Sequence, residues 1–242
     1  MKNALKDFGP VYVINLESKK DRLEHIKKEF NKYNIKDYTI VKAVDGSTED
    51  LSLLVDNIDS VPMSKNEIAC SISHLKAIKH WLDTSTSDYA IIVEDDLTLE
   101  TVNCWQWTWS QFLSKINLEY DVLQLSITNI GRVNTSLHYR EWRDSSAVCY
   151  LIKRSWAKKI ISKHIVNEKF IFSGNNFSIL LADGLIYHEA ICLSFPLFTY
   201  SLEFNSSIHQ DHVDTIHHRS RNEVLDFWKT NPKTLYRQLI KK

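Results

Sequence analysis

Three consecutive carboxylates, Glu94-Asp95-Asp96, follow directly on the apolar run Tyr89-Ala90-Ile91-Ile92-Val93. Burying such a run is favourable, but the acids cannot follow it inward without partners. In an open parallel sheet the carboxyl ends of strands line the ligand crevice. If the chain stays extended there, Glu94 and Asp96 point one way and Asp95 the other. Oxygen ligands on one side suit a hard divalent cation such as Mn²⁺ or Mg²⁺. Such an ion bridges a diphosphate and neutralises charge on a leaving group. The plain alternative is a solvated strand-to-loop turn.

Two further groups stand out. Asp183 lies in the mostly apolar stretch Leu180-Leu181-Ala182-Asp183-Gly184-Leu185-Ile186. A carboxylate there must be paired or raised in pKa, which is how a general base is tuned; capping a helix or binding a sugar hydroxyl are the other readings. The segment His209 to His218 packs four histidines and two aspartates into ten residues. A polar tail whose histidines touch nothing is the reading adopted for His217 and His218.

The elements that position these residues are legible as patterns. Val11 to Leu16 reads as a buried strand, and Leu23, Ile26, Phe30 and Tyr33 recur at helical spacing, predicting a helix over 19–34. Tyr38 to Val44 reads as the next strand, closed by Asp45-Gly46. Strand, helix and strand in this order predict a βαβ unit with parallel pairing. A polar loop over 47–64, expected to be mobile, precedes a helix over 66–83 with Glu67, Ser71 and His74 along one edge of its apolar face. Further strands are predicted over 89–93, 122–125 and 147–152. Helices are predicted around Trp105 to Ile116, over 155–163 and over 177–186. Cys192 to Leu197, with Pro196 inside it, reads as an edge strand. The expected organisation is one domain over 1–220 and a basic helical tail over 221–242.

Composition limits the function classes. The 242 residues are 43% apolar and 25% charged, with 30 basic and 30 acidic side chains. This is ordinary globular composition, and the lack of basic excess argues against a general nucleic-acid binder. No apolar run approaches the roughly 20 residues that span a bilayer, and the start of the chain lacks a secretory core, so a soluble cytoplasmic protein is expected. Cys70, Cys104, Cys149 and Cys192 are more than thirty residues apart and form no CxxC pair, so they are read as reduced, partly buried thiols. Neither GxGxxG nor GxxxxGK[ST] occurs, which excludes the dinucleotide and P-loop fingerprints. Lys229, Lys233, Arg237, Lys241 and Lys242 end the chain without an intervening acid, a run that allows weak peripheral attraction to an anionic membrane.

Val13-Ile14-Asn15-Leu16 with Asp21-Arg22, Ala43-Val44-Asp45-Gly46, Glu67-Ile68-Ala69-Cys70-Ser71-Ile72-Ser73-His74 and Ile92-Val93-Glu94-Asp95-Asp96 together resemble glycosyltransferase family 25 in order and spacing. That family includes bacterial lipooligosaccharide galactosyltransferases and collagen galactosyltransferases. The match continues more loosely to Ala182-Asp183-Gly184-Leu185 and Asn205-Ser206-Ser207-Ile208, while Asn66 and Ala69 replace glycines common in the family.

The resemblance implies an α/β fold of GT-A type, with a Rossmann-like, mostly parallel sheet flanked by helices. It also implies a uridine diphosphate sugar donor, a divalent metal (Mn²⁺ or Mg²⁺), inversion at the anomeric carbon, and a glycan or glycoconjugate acceptor. By this match Asp96 binds the metal, and Glu94 serves the ribose or the metal's outer shell. Asn15, Arg22, Ser73, His74 and Asp95 join Glu94 as donor-binding candidates. A further metal ligand is expected from the C-terminal side, His209 first and His212 second. Asp183 is the candidate base. A non-catalytic nucleotide- or carbohydrate-binding module and a metal-dependent phosphohydrolase are the alternatives.

Overall fold

A computed structural model gives the architecture and describes residues 4–172, 176–204 and 216–233. The expected βαβ start is present: strand β1 (Val11–Asn15), helix α1 (Lys20–Lys32) and strand β2 (Tyr38–Lys42), with β1 and β2 parallel. The 47–64 segment is anchored rather than loose. It holds two 3-10 turns, and Leu51, Val55 and Val61 are buried.

Helix α2 (Lys65–Thr84) starts at a reciprocal cap, in which Ser64 Oγ accepts from the Glu67 amide and Glu67 Oε2 accepts from the Ser64 amide. The chain continues through β3 (Tyr89–Glu94), β4 (Leu97–Thr98), α3 (Trp109–Lys115), β5 (Val122–Ser126), β6 (Thr128–Asn129), β7 (His138–Tyr139), β8 (Asp144–Ser145), β9 (Cys149–Lys153), α4 (Arg154–His164), β10 (Ile165–Val166) and β11 (Lys169–Phe170). It then forms α5 (Phe177–Leu180), α6 (Ala182–Tyr187), β12 (Cys192–Tyr200) and α7 (His218–Thr230).

The main sheet has the order β2-β1-β3-β9-β5-β12-β4, with β7 also on β12. Among its long strands, β2, β1, β3, β5 and β12 share one direction and β9 runs against them. Side-chain alternation supplies both faces with apolar groups. On β3, Ala90 and Ile92 join a core with Ile72, Trp81 and Trp156, under α2 and α4. Ile91 and Val93 join the opposite core with Phe30, Trp109 and Trp228, under α1, α3 and α7. The result is a single α/β domain with helices on both faces of a mixed sheet.

Four expectations change. The tryptophan-rich helix begins only at Trp109, because Thr108 caps it through the Gln111 amide; Trp105 and Trp107 stack on each other in the preceding loop. The helix expected over 177–186 is broken at Leu181, which is extended. Strand β12 is interior, between β5 on one side and β4 and β7 on the other. Its register with β5 shifts between Ser194 and Phe198, and this irregularity accommodates Pro196, which lacks an amide donor. Finally, α7 crosses the expected boundary at residue 220 and buries Val224 and Trp228 in the core. Among the described residues no helix is long and apolar enough to cross a membrane.

Candidate active site

The carboxyl ends of β1 and β3 lie side by side, with Ile14 opposite Glu94. Strand β3 ends at Glu94, and Asp95-Asp96 form a turn before β4. The three acids therefore separate. Asp95 is buried and accepts from Asn15 Nδ2 at 2.6 Å, while Arg22 Nε lies 2.6 Å from its other oxygen. Arg22, projecting from the start of α1, also donates from Nη2 to Asp96 Oδ2 at 2.6 Å. One guanidinium thus holds two carboxylates, which suits its planar set of donors. Its side chain is only 12% exposed, so it is not a solvated surface arginine. Asp96 is fixed further by its carbonyl, which accepts from the Ser201 amide at 2.7 Å. Its second carboxylate oxygen, Oδ1, is buried with no hydrogen-bond partner among the described residues.

Glu94 faces helix α2. Its Oε1 is 3.3 Å from His74 Nε2, and His74 Nδ1 is 3.1 Å from Tyr150 Oη. Ser73 commits its hydroxyl to the fold, donating to the Ala69 carbonyl and accepting from the Val44 amide. That bond ties α2 to the turn after β2. Gly46 is required in this turn, since a Cβ there would lie 2.5 Å from the Lys65 carbonyl oxygen.

Two cavities meet at these residues, sharing Arg22, Cys70 and Glu94 in their walls. The first, of about 400 Å³, is lined by Glu67, Glu94, Asp96, Asp183, Tyr200 and His217. The second, of about 340 Å³, runs between the ends of β1 and β2 and the start of α2, past Lys19, Asp45, Ser73, His74 and Asp95. The extended alternation is not kept, because Asp95 and Asp96 lie in a turn: Glu94 lines both cavities, Asp96 the first and Asp95 the second.

Electrostatics follow from burial. Burial pushes the Asp96 carboxyl up to about 7, against the pull of Arg22 and with the repulsion of Glu94 and Asp95. Asp95 is raised by the same burial, offset in part by Arg22 and Asn15. Burial also acts to raise Glu94, but the hydrogen bond and charge of His74 outweigh it and hold Glu94 below its usual range. The Cys70 thiol is pushed well up by burial and by the surrounding carboxylates.

The structure thus brings Asn15, Arg22, Ser73, His74, Glu94, Asp95 and Asp96 to one cleft. Asp183, in the first turn of α6, lines the first cavity. It is paired, with Arg140 Nη2 at 3.6 Å and the Gly184 amide donating to its Oδ1. His209 and His212 lie outside the described residues. His217, expected to touch nothing, places Nδ1 3.0 Å from Tyr200 Oη at the cavity wall. Sequence reasoning missed Cys70, Arg140 and Tyr150. Only Cys70 left a signal, one helical turn before His74 on α2.

Comparison with known proteins supplies the family. The family model "Glycosyltransferase family 25 (LPS biosynthesis protein)" matches residues 8–171. This chain belongs to glycosyltransferase family 25. It is 29% identical over 141 residues to human procollagen galactosyltransferase 2, a match covering 52% of this chain and 21% of that protein. The mouse protein of the same name matches at 29% over 104 residues, covering 38% of this chain and 16% of its own length. The chain thus spans only a fraction of the length of these relatives. Among solved structures, HddC from Yersinia pseudotuberculosis complexed with GMP-PN is similar over 79% of this chain and 92% of its own, with 14% identity and a TM-score of 0.38.

Proposed function

We propose that this chain is a metal-dependent, inverting glycosyltransferase of GT-A type. It moves a hexose, galactose or glucose, from a UDP-sugar to a hydroxyl of a glycan, lipooligosaccharide or hydroxylysine-type acceptor. Family membership supports the reaction class. The observation that carries the metal-dependent reading is Asp96, a residue of the cavity wall whose carboxylate oxygen Oδ1 is buried without a hydrogen-bond partner among the described residues. Leaving such a group unsatisfied is costly, and a cation is the ligand that relieves it. The carboxylates offered at this tip are hard oxygen donors, which fit Mn²⁺ or Mg²⁺.

Asp96 would hold the ion, with Glu94 beside it and His209 or His212 as the C-terminal ligand. When bound, the ion neutralises charge that develops on the departing diphosphate. The chain's own residues do the rest. Arg22 fixes the Asp95-Asp96 turn against β1, so the acidic tip is set before donor arrives. Ser73 and His74 line the second cavity, which takes the nucleoside, and Asn15 holds Asp95 in its wall; the first takes the sugar and acceptor. Asp183 faces that first cavity, and as a carboxylate it accepts the proton of the attacking hydroxyl. Arg140 keeps its charge balanced and its orientation fixed.

The test is donor hydrolysis with a panel of nucleotide sugars, with and without excess chelator. Sugar release from one UDP-sugar, lost with chelator and in Asp96→Ala, is the expected result. Release that persists under both treatments overturns the metal role. Binding without any release supports the non-catalytic module, and hydrolysis of simple phosphate esters alone supports the phosphohydrolase.

A further inference from the structure

The wall between the two cavities holds a second set of potential ligands, different in chemistry from the acidic tip. Cys70 Sγ, a His74 ring nitrogen and a Glu94 carboxylate oxygen all lie within 4.8 Å of one another. Two of them come from consecutive turns of α2 and the third from the end of β3, so rigid elements position the set. We propose that Cys70, His74 and Glu94 form a zinc site with an open fourth position, separate from the cation role given to Asp96.

Four observations argue for it. A thiolate, an imidazole and a carboxylate together favour zinc, whereas manganese and magnesium prefer oxygen alone. The His74 Nε2 to Glu94 Oε1 distance is 3.3 Å. That is at the long end for a hydrogen bond, yet it matches the edge of a tetrahedron with metal bonds of about 2.0–2.1 Å, roughly 3.3 Å. Tyr150 Oη, 3.1 Å from Nδ1, supplies the outer partner that a ligating histidine needs. In the zinc-bound form Nδ1 would carry the proton and donate to Tyr150, leaving Nε2, which is 3.3 Å from Glu94 Oε1, to ligate. Access is open, because Cys70 and Glu94 line both cavities.

Ligation replaces the Cys70 S–H bond with a sulfur–zinc bond and releases that proton to solvent. Thiolate and carboxylate then balance the two charges of the ion. The proposal shares His74 and Glu94 with the cleft of the proposed function, and its test reads metal ligation by Cys70 rather than transfer.

The test uses zinc and, as a spectroscopic probe, cobalt(II), on the full chain and three variants. Wild type should bind one zinc whose X-ray absorption shows a single sulfur neighbour at about 2.3 Å. Its cobalt form should show thiolate-to-metal charge transfer. Cys70→Ala should lose the sulfur signal and bind zinc at least 100-fold more weakly, and Cys70→Ser, which keeps the side-chain volume, should do the same. Asp96→Ala should retain the sulfur-ligated zinc. Equal affinity in folded Cys70→Ala or Cys70→Ser, a zinc shell of nitrogen and oxygen only (as the histidine-rich segment would give), or loss of the sulfur-ligated zinc in folded Asp96→Ala would overturn the assignment.

Discussion

Arg22 reaches two acids at once, Asp95 through Nε and Asp96 through Nη2, from a side chain that is 12% exposed. Burial disfavours its charge, but the three neighbouring carboxylates outweigh that and raise its pKa further. Removing it strands Asp95, which is buried and, among the described residues, keeps only Asn15 as a hydrogen-bond partner. Arg22→Ala should therefore cost about 3–5 kcal/mol of stability, measurable by urea unfolding, as expected when one partner of a buried pair is lost. Arg22→Lys should cost less but still misplace Asp96, since an ammonium lacks the fork that spans two carboxylates. At this scale the acidic tip was legible, because three acids after an apolar strand need an explanation. Its partner was not, since Arg22 lies 74 positions from Asp96 and only the resemblance drew attention to it.

Among the elements, the break between α5 and α6 matters most to the site, because it sets the position of Asp183. A Cβ on Gly184 would fall 2.1 Å from the Ser178 carbonyl oxygen, so the two short helices approach as closely as glycine allows. Gly184→Ala should destabilise the fold by about 1–3 kcal/mol through this overpacking. It should also displace Asp183 from Arg140, visible in the folded variant as a fall in transfer rate that does not exceed the loss in Asp183→Asn.

The break itself was hidden from periodicity, which counts apolar residues and cannot see that Leu181 is extended. Strands β1, β3 and β5 and helix α2 were legible because their burial is nearly complete or strictly periodic. The interior position of β12 was not. Proline pointed to an edge, and the irregularity that tolerates it is a property of pairing with β5.

Across the whole molecule, two apolar cores clamp the sheet, and the cleft opens where the parallel strands end. The far wall of the first cavity depends on a buried polar knot. Asp144 accepts from His138 Nε2 at 2.9 Å and from Asn129 Nδ2 at 3.0 Å, and its backbone lies in β8 beside Ser145 and Ser146 of the cavity lining. Burial lowers the His138 pKa, but Asp144 and the Ser136 carbonyl raise it more, for a net rise. Burial raises Asp144, but His138 and its other donors lower it more, for a net fall.

The raised histidine stabilises fully below about 6.5 and loses that effect as pH climbs through its folded value. The lowered acid stabilises above about 3.9 and loses that effect as pH falls through its folded value. The pair should therefore contribute most between about pH 4 and 6.5, and the Tm difference between wild type and His138→Gln should peak in that window. A difference that is flat with pH would contradict this. That α7 belongs to the body of the domain was not legible, since its polar histidine-rich start conceals the buried Trp228 at its far end.

The central claim is that Asp96 uses its unpartnered oxygen to hold a cation against a donor diphosphate, and calorimetric titration of UDP tests it most directly. With manganese present, wild type should bind UDP at least 100-fold more tightly than without it, and Asp96→Ala should abolish that difference while circular dichroism stays unchanged. Equal UDP affinity with and without manganese in wild type, or an undiminished manganese effect in folded Asp96→Ala, would contradict the account.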